Sequence, residues 1–279
     1  SYGRSIAEMA RFFGSHGHKM MVLKGYACSL DWPRPDHRPT GDIDIWQFGH
    51  YRECDALLYD ETGIKVDNSH HHHTVFYWRD FMVENHYDFI NVHHHRSNAE
   101  YEKILKTLAE DDSHFVEIDG VKVCLPSADL HALFLTKHTM AHFASGEISF
   151  RQLMDWAFFV EKHGCEVDWP FVQGVLERFG MKELADIFNA ICAEVLGFDF
   201  PKEYGLDVPV DPGLKRRVLS EIIAPEFSGE IPSSLIPRII FKCRRWKANG
   251  WKHRLCYRES MWSGFWSGVW THLLKPSSI

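Results

Sequence analysis

The chain has 279 residues, 45% of them apolar and 25% charged, which excludes a disordered protein and leaves room for a large core; at this length two domains are expected. A net charge of −7 provides no overall positive field, so a polynucleotide substrate is disfavoured. Seven cysteines, odd in number and without a C-x-x-C pair, suit a reducing compartment, and no stretch approaches 18 uninterrupted apolar residues, so a cytoplasmic location is expected.

In chain order, residues 5–17 place Ile6, Met9, Ala10 and Phe13 at helical spacing, and residues 20–23 read as a short buried strand. Residues 31–41 carry Pro33, Pro35 and Pro39 and are predicted to be loop. Residues 42–46 alternate with period two, which is a strand, and residues 50–62 read as a helix. Strands are predicted over 74–78 and 81–89, joined by a tight turn at Arg79-Asp80, and a hairpin over 115–123 around Asp119-Gly120. After Pro126 an apolar period near 3.6 continues as far as Gly197. The expected fold class is α+β: a small mixed β-sheet domain over residues 1–126 followed by an all-α helical domain over 127–279.

Within the strand at 42–46, residues two apart share a face, so Asp42 and Asp44 point together while Ile43 and Ile45 enter the core. Two carboxylates about 5 Å apart repel by roughly 3 kcal/mol at an effective dielectric near 20, a cost that a divalent cation reverses. An ordinary half-exposed strand gives the same D-I-D-I pattern. Two further features favour metal: Glu84 shares one face of a later strand with His86 and Asp88, and Leu23-Lys24-Gly25 ends a strand with a glycine that lets backbone amides approach phosphate.

This order of strand, Gly-bearing turn, acidic strand and later acidic strand resembles the nucleotidyltransferase superfamily that includes DNA polymerase beta. Leu23-Lys24-Gly25, Arg38 before Asp42-Ile43-Asp44, Val83-Glu84-Asn85-His86, and then Leu130-His131, Lys137-His138, His142 and the 151–155 stretch are similar to a bacterial family of uncharacterised nucleotidyltransferases. The wider superfamily carries Gly-Gly or Gly-Ser at the turn, where this chain has Gly25-Tyr26. The resemblance implies two-metal catalysis, with Asp42 and Asp44 binding the Mg2+ (or Mn2+) held by the triphosphate and Glu84 completing the second metal site, Glu84 being also the best candidate general base. It further implies nucleotide or phosphate contacts from Lys24, Gly25, Arg38, His86, Lys137, His138 and His142. The substrates implied are a nucleoside triphosphate such as ATP and an acceptor hydroxyl, either on a small molecule such as a sugar or on a protein side chain.

His131, His138 and His142 fall on one stripe of the helix that begins near Ser127, as cleft residues or as hydrogen-bonded interface histidines. The runs at 70–73 and 93–95 read as solvated loops, because four adjacent residues in an extended segment cannot all aim at one ion. Arg151 and Asp155 are spaced for an ordinary ion pair. Residues 238–258 form a basic, Trp-bearing segment, and Trp262, Phe265, Trp266, Val269, Trp270 and Leu273 form an apolar helical stripe. Such a stripe packs on its own protein, a partner groove or a membrane surface. Two other readings remain: a nucleotide-sensing or partner-binding module, and a His-based metal hydrolase, for which no H-E-x-x-H motif is present.

Overall fold

The computed structural model describes residues 1–39, 41–93, 95–225, 233–260 and 262. The chain divides into two compact units, one containing Ser1–Phe134 and the other Leu135–Phe265.

The first unit is built on a six-stranded mixed sheet. Its strands are β1 (Met21–Val22), β2 (Ile43–Trp46), β3 (His73–Trp78), β4 (Phe81–His86), β5 (Phe115–Ile118) and β6 (Val121–Cys124), in spatial order β3-β4-β2-β1-β6-β5. Both outer pairs are antiparallel hairpins. Asp119 and Gly120 turn the β5–β6 hairpin with positive φ of 49° and 74°, the backbone that an Asp-Gly turn favours. The hairpins join through β1, which lies parallel to β6 and antiparallel to β2, while β2 lies parallel to β4.

One face of this sheet carries the core. Ile6, Met9 and Phe13 of helix α1 (Tyr2–Ser15) pack with Val22, Ile43, Ile45, Phe76, Val83 and Val123, and with Cys54 and Leu58 of α3 (Tyr51–Thr62). Strand alternation turns Asp44, Trp46, Glu84 and His86 to the opposite face. There Trp46 meets Phe89 at 4.7 Å between ring centroids, and Phe89 meets Phe134 at 5.5 Å.

Two helices of this unit were not expected. Residues 24–31 form α2 (Lys24–Asp31), whose eight residues open with Lys-Gly and span too short a stretch for a period to register. Helix α4 (Arg96–Leu108) buries Asn98 and Glu102 beside Tyr101 and Leu105, so polar residues interrupt its apolar stripe. Glu102 is held there by the backbone N–H groups of Phe89 and Ile90 at 2.9 and 3.1 Å. Strand β4 also ends at His86 rather than residue 89, because the N–H groups of Tyr87 and Asp88 both turn to the His72 carbonyl.

Helix α5 (Ala128–Ser145) contains the division between the units. The second unit continues with α6 (Phe150–His163), α7 (Trp169–Arg178), α8 (Lys182–Glu194), α9 (Pro212–Ile223), α10 (Leu235–Ala248) and α11 (Gly250–Cys256). The Asp168 side chain caps α7 by accepting from the Phe171 N–H. Leu153, Trp156 and Val160 of α6 and Leu184, Phe188 and Ile191 of α8 are buried, and the Trp156 indole donates to Asn189 at 2.8 Å. Lys252 of α11 and Glu221 of α9 form a buried ion pair at 2.5 Å. The chain is thus an α+β protein, a mixed sheet followed by helices. No helix among the described residues is long and apolar enough to cross a membrane. Of the C-terminal apolar stripe only Trp262 is described, exposed and edge-on to Trp246; its other members lie outside the described residues.

Candidate active site

The parallel ladder between β2 and β4 sets Asp44 opposite Glu84 and Trp46 opposite His86. Asp44, Glu84 and His86 each offer a ligand atom, and these atoms lie within 4.8 Å of one another. Asp44 is only 1% exposed, so the strand is not the half-exposed one that D-I-D-I also allows.

Asp44 Oδ1 receives Lys24 Nζ at 2.9 Å and His86 Nε2 at 3.0 Å. Its second oxygen, Oδ2, is buried with no hydrogen-bond partner. Lys24 is the first residue of α2, and its ammonium also lies 5.7 Å from the Phe134 ring centroid. Leu23 at the start of that helix gives no side-chain cap, so the first backbone N–H groups of α2 have no intrahelical acceptor. Gly25, next along, passes so close to β2 that a Cβ there would stand 2.8 Å from the Tyr2 hydroxyl, 3.1 Å from the Asp42 carbonyl and 3.7 Å from Asp44 Oδ2.

Asp42 precedes β2 and is half-buried. It is not in the tight ligand group; its carbonyl accepts from the Tyr2 hydroxyl at 2.6 Å, and its carboxyl joins the others through charge. Arg38 is buried just after a 3-10 turn at Pro35–His37 and donates to the Pro39 carbonyl at 3.4 Å.

Burial, then the charges of Asp44 and Glu84, push Asp42 up to about 6. For Asp44 burial opposes ionisation, but Lys24 and His86 outweigh it and hold the carboxyl well below its ordinary range. Burial likewise opposes the His86 cation, yet its bonds to Asp44 and Glu84 prevail and raise it to about 9. Lys24 is held above its usual value by Asp44 and Glu84 against the same penalty. Two cations therefore balance buried Asp44 and partly buried Glu84.

His72 and His73 belong to this neighbourhood, which the solvated-loop reading of 70–73 missed. His73 is buried at the start of β3 with Nε2 3.8 Å from Glu84 Oε1, and burial lowers it to about 4. Burial also depresses His72, which lies just before the strand. Four identical residues give no period from which to assign faces; only the β3 register does so.

Lys137, His138 and His142 belong to the second unit. Lys137 is buried, its ammonium 4.6 Å from the Tyr257 ring centroid and 3.8 Å from Met181 Sδ, and burial lowers it to about 8. The Nε2 atoms of His138 and His142 meet at 3.0 Å. His131, in the first unit, is buried with Nε2 3.6 Å from Cys28 Sγ.

No curated protein matches the chain. Among solved structures it is similar to an antigenic nucleotidyltransferase-like protein from Paracoccidioides brasiliensis, at 15% identity over 57% of this chain and 75% of that one, with a TM-score of 0.41. The family model described as "Uncharacterised nucleotidyltransferase" matches residues 2–197, so the chain belongs to that family.

Proposed function

We propose that the chain transfers a nucleoside monophosphate from a nucleoside triphosphate to an acceptor hydroxyl, with Asp42, Asp44 and Glu84 holding Mg2+ or Mn2+. One observation carries this reading: the buried, unpartnered Asp44 Oδ2 lies beside Gly25 at the uncapped start of α2. A buried carboxylate oxygen with no hydrogen-bond partner suits a cation, and backbone N–H groups without an intrahelical acceptor beside it suit a phosphate. Carboxylates are the donor set that magnesium prefers.

Bound magnesium supplies charge neutralisation and orientation of the triphosphate. Lys24 and the first N–H groups of α2 bind phosphate oxygens. Glu84 takes the proton from the acceptor hydroxyl, whose oxygen attacks the α-phosphorus as the bond to the β-phosphate breaks and pyrophosphate leaves. Lys24 moves from Asp44 toward the triphosphate, keeping its charge paired. A small acceptor such as a sugar fits the net charge of −7 better than a nucleic acid does.

The test is incubation with each triphosphate, Mg2+ and cell extract, followed by pyrophosphate assay and mass spectrometry of products and proteins. Asp44→Asn is expected to abolish transfer while far-ultraviolet circular dichroism stays unchanged; transfer undiminished in that variant overturns the mechanism. A nucleotide-sensing module is the second reading, favoured by Tyr26, which lies beside Tyr2 at 6.0 Å where the superfamily carries Gly or Ser. Calorimetric binding of a triphosphate without pyrophosphate release selects it.

A further inference from the structure

Across the antiparallel register of β3 and β4, His73 stands opposite His86, so the two imidazoles share the acid-bearing face. His72 precedes the strand and escapes its alternation. The His72 carbonyl accepts the N–H groups of Tyr87 and Asp88, both at 3.0 Å, which fixes its backbone against the end of β4. The ring centroids of His72 and His73 are 4.4 Å apart, those of His72 and His86 5.6 Å, and those of His73 and His86 5.3 Å. One ligand atom from each lies within 4.8 Å of the other two.

Two of these side chains have an unmet need. His73 is 7% exposed and its Nδ1 has no hydrogen-bond partner; His72 Nδ1 is buried in the same condition. Burying such a nitrogen without a partner is costly, and a metal bond removes the cost. His86 Nδ1 bonds the Asp88 carbonyl at 3.1 Å, an outer contact of the kind that orients a metal-binding imidazole, and Nε2 exchanges its 3.0 Å bond to Asp44 Oδ1 for one to the metal on binding. Glu84 stands beside a fourth position, with Oε1 3.8 Å from His73 Nε2 and Oε2 3.5 Å from His86 Nε2.

We propose that His72, His73 and His86 bind a borderline transition-metal ion of the zinc class, with Glu84 beside the fourth position. Imidazole nitrogens select zinc, cobalt or nickel over magnesium, which takes oxygen. Nitrogens bonded to one zinc at about 2.1 Å stand roughly 3.4 Å apart in a tetrahedron, so the three side chains close by about an ångström on binding. The site shares His86 and Glu84 with the acidic centre but does not depend on nucleotidyl transfer.

The test titrates metal-free, tag-free protein with Co2+, whose tetrahedral complexes absorb strongly in the visible. One equivalent is expected to give that spectrum, and Zn2+ to bleach it by displacement. Losing an outer contact alone costs about 10–100-fold in metal affinity, so His72→Gln and His73→Gln are each expected to weaken binding at least that much. His72 is only half-buried, so His72→Gln keeps the fold, as circular dichroism checks. Asp44→Asn and His50→Ala are expected to keep the spectrum, the latter because His50 belongs to a separate surface group with His18 and Glu53. Absence of the spectrum in the parent protein, its persistence in both histidine variants, or its loss in Asp44→Asn overturns the proposal.

Discussion

Gly25 shows how much of the site rests on one missing side chain. A Cβ would meet the Tyr2 hydroxyl at 2.8 Å and the Asp42 carbonyl at 3.1 Å. The hydroxyl can swing aside, whereas the carbonyl belongs to the backbone leading into β2. Gly25→Ala is therefore expected to cost about 1–3 kcal/mol in chemical denaturation and to weaken triphosphate binding in calorimetry. Combining it with Tyr2→Phe is expected to recover only part of the stability, because the carbonyl contact remains. A fully stable Gly25→Ala protein would refute the close packing of α2 on β2. At this scale the sequence was partly legible. The period of Asp42-Ile43-Asp44-Ile45 assigns faces without a structure, and Glu84 and His86 share one face by the same rule. His72 and His73 were hidden in a homopolymeric run, and the half-buried position of Asp42 depends on the loop before it.

At the scale of elements, strands and turns carried clear signals and short or polar helices did not. Asp119-Gly120 identified its hairpin through the positive φ that only a few residues accept. Helix α2 had too few residues to show a period, and α4 hid its helical stripe behind buried Asn98 and Glu102. The pairing of β2 with β4 is a long-range choice that local pattern cannot express, although the alternation that it needs was visible. Buried charge between helices was likewise invisible. Lys252 lies in the basic, Trp-bearing segment 238–258, yet it is 2% exposed and paired with Glu221. Lys252→Met alone strands a buried carboxylate and is expected to destabilise the protein by about 3–5 kcal/mol. The double replacement with Glu221→Leu is expected to regain most of that loss in the same denaturation experiment. A loss in the double variant equal to the sum of the two single-variant losses would show that the pair is not coupled.

For the whole molecule, pH provides a handle on a residue of the second unit. Burial lowers Lys137 from its ordinary 10.5 to about 8. Between those values the unfolded chain holds a proton that the fold has released, so this group makes stability rise with pH across that window. Below about pH 8 the buried ammonium carries its full penalty, on the order of 3 kcal/mol. Lys137→Met is therefore expected to raise the unfolding free energy at pH 7, with the advantage shrinking through pH 8–10 and gone near pH 11. A gain that is independent of pH would locate the effect in packing instead. If the same variant loses triphosphate affinity while gaining stability, the lysine is kept for binding rather than for the fold.

The parallel register of β2 and β4 has a further consequence for how such proteins diversify. Asp44 and Glu84 are held in step by the ladder between their strands and not by the length of chain that connects them. The loop between α3 and His72 can therefore lengthen or shorten while the two carboxylates stay opposite each other, since loop length costs little free energy. Relatives that have moved to new acceptors are expected to have drifted there first, around an unchanged acidic pair.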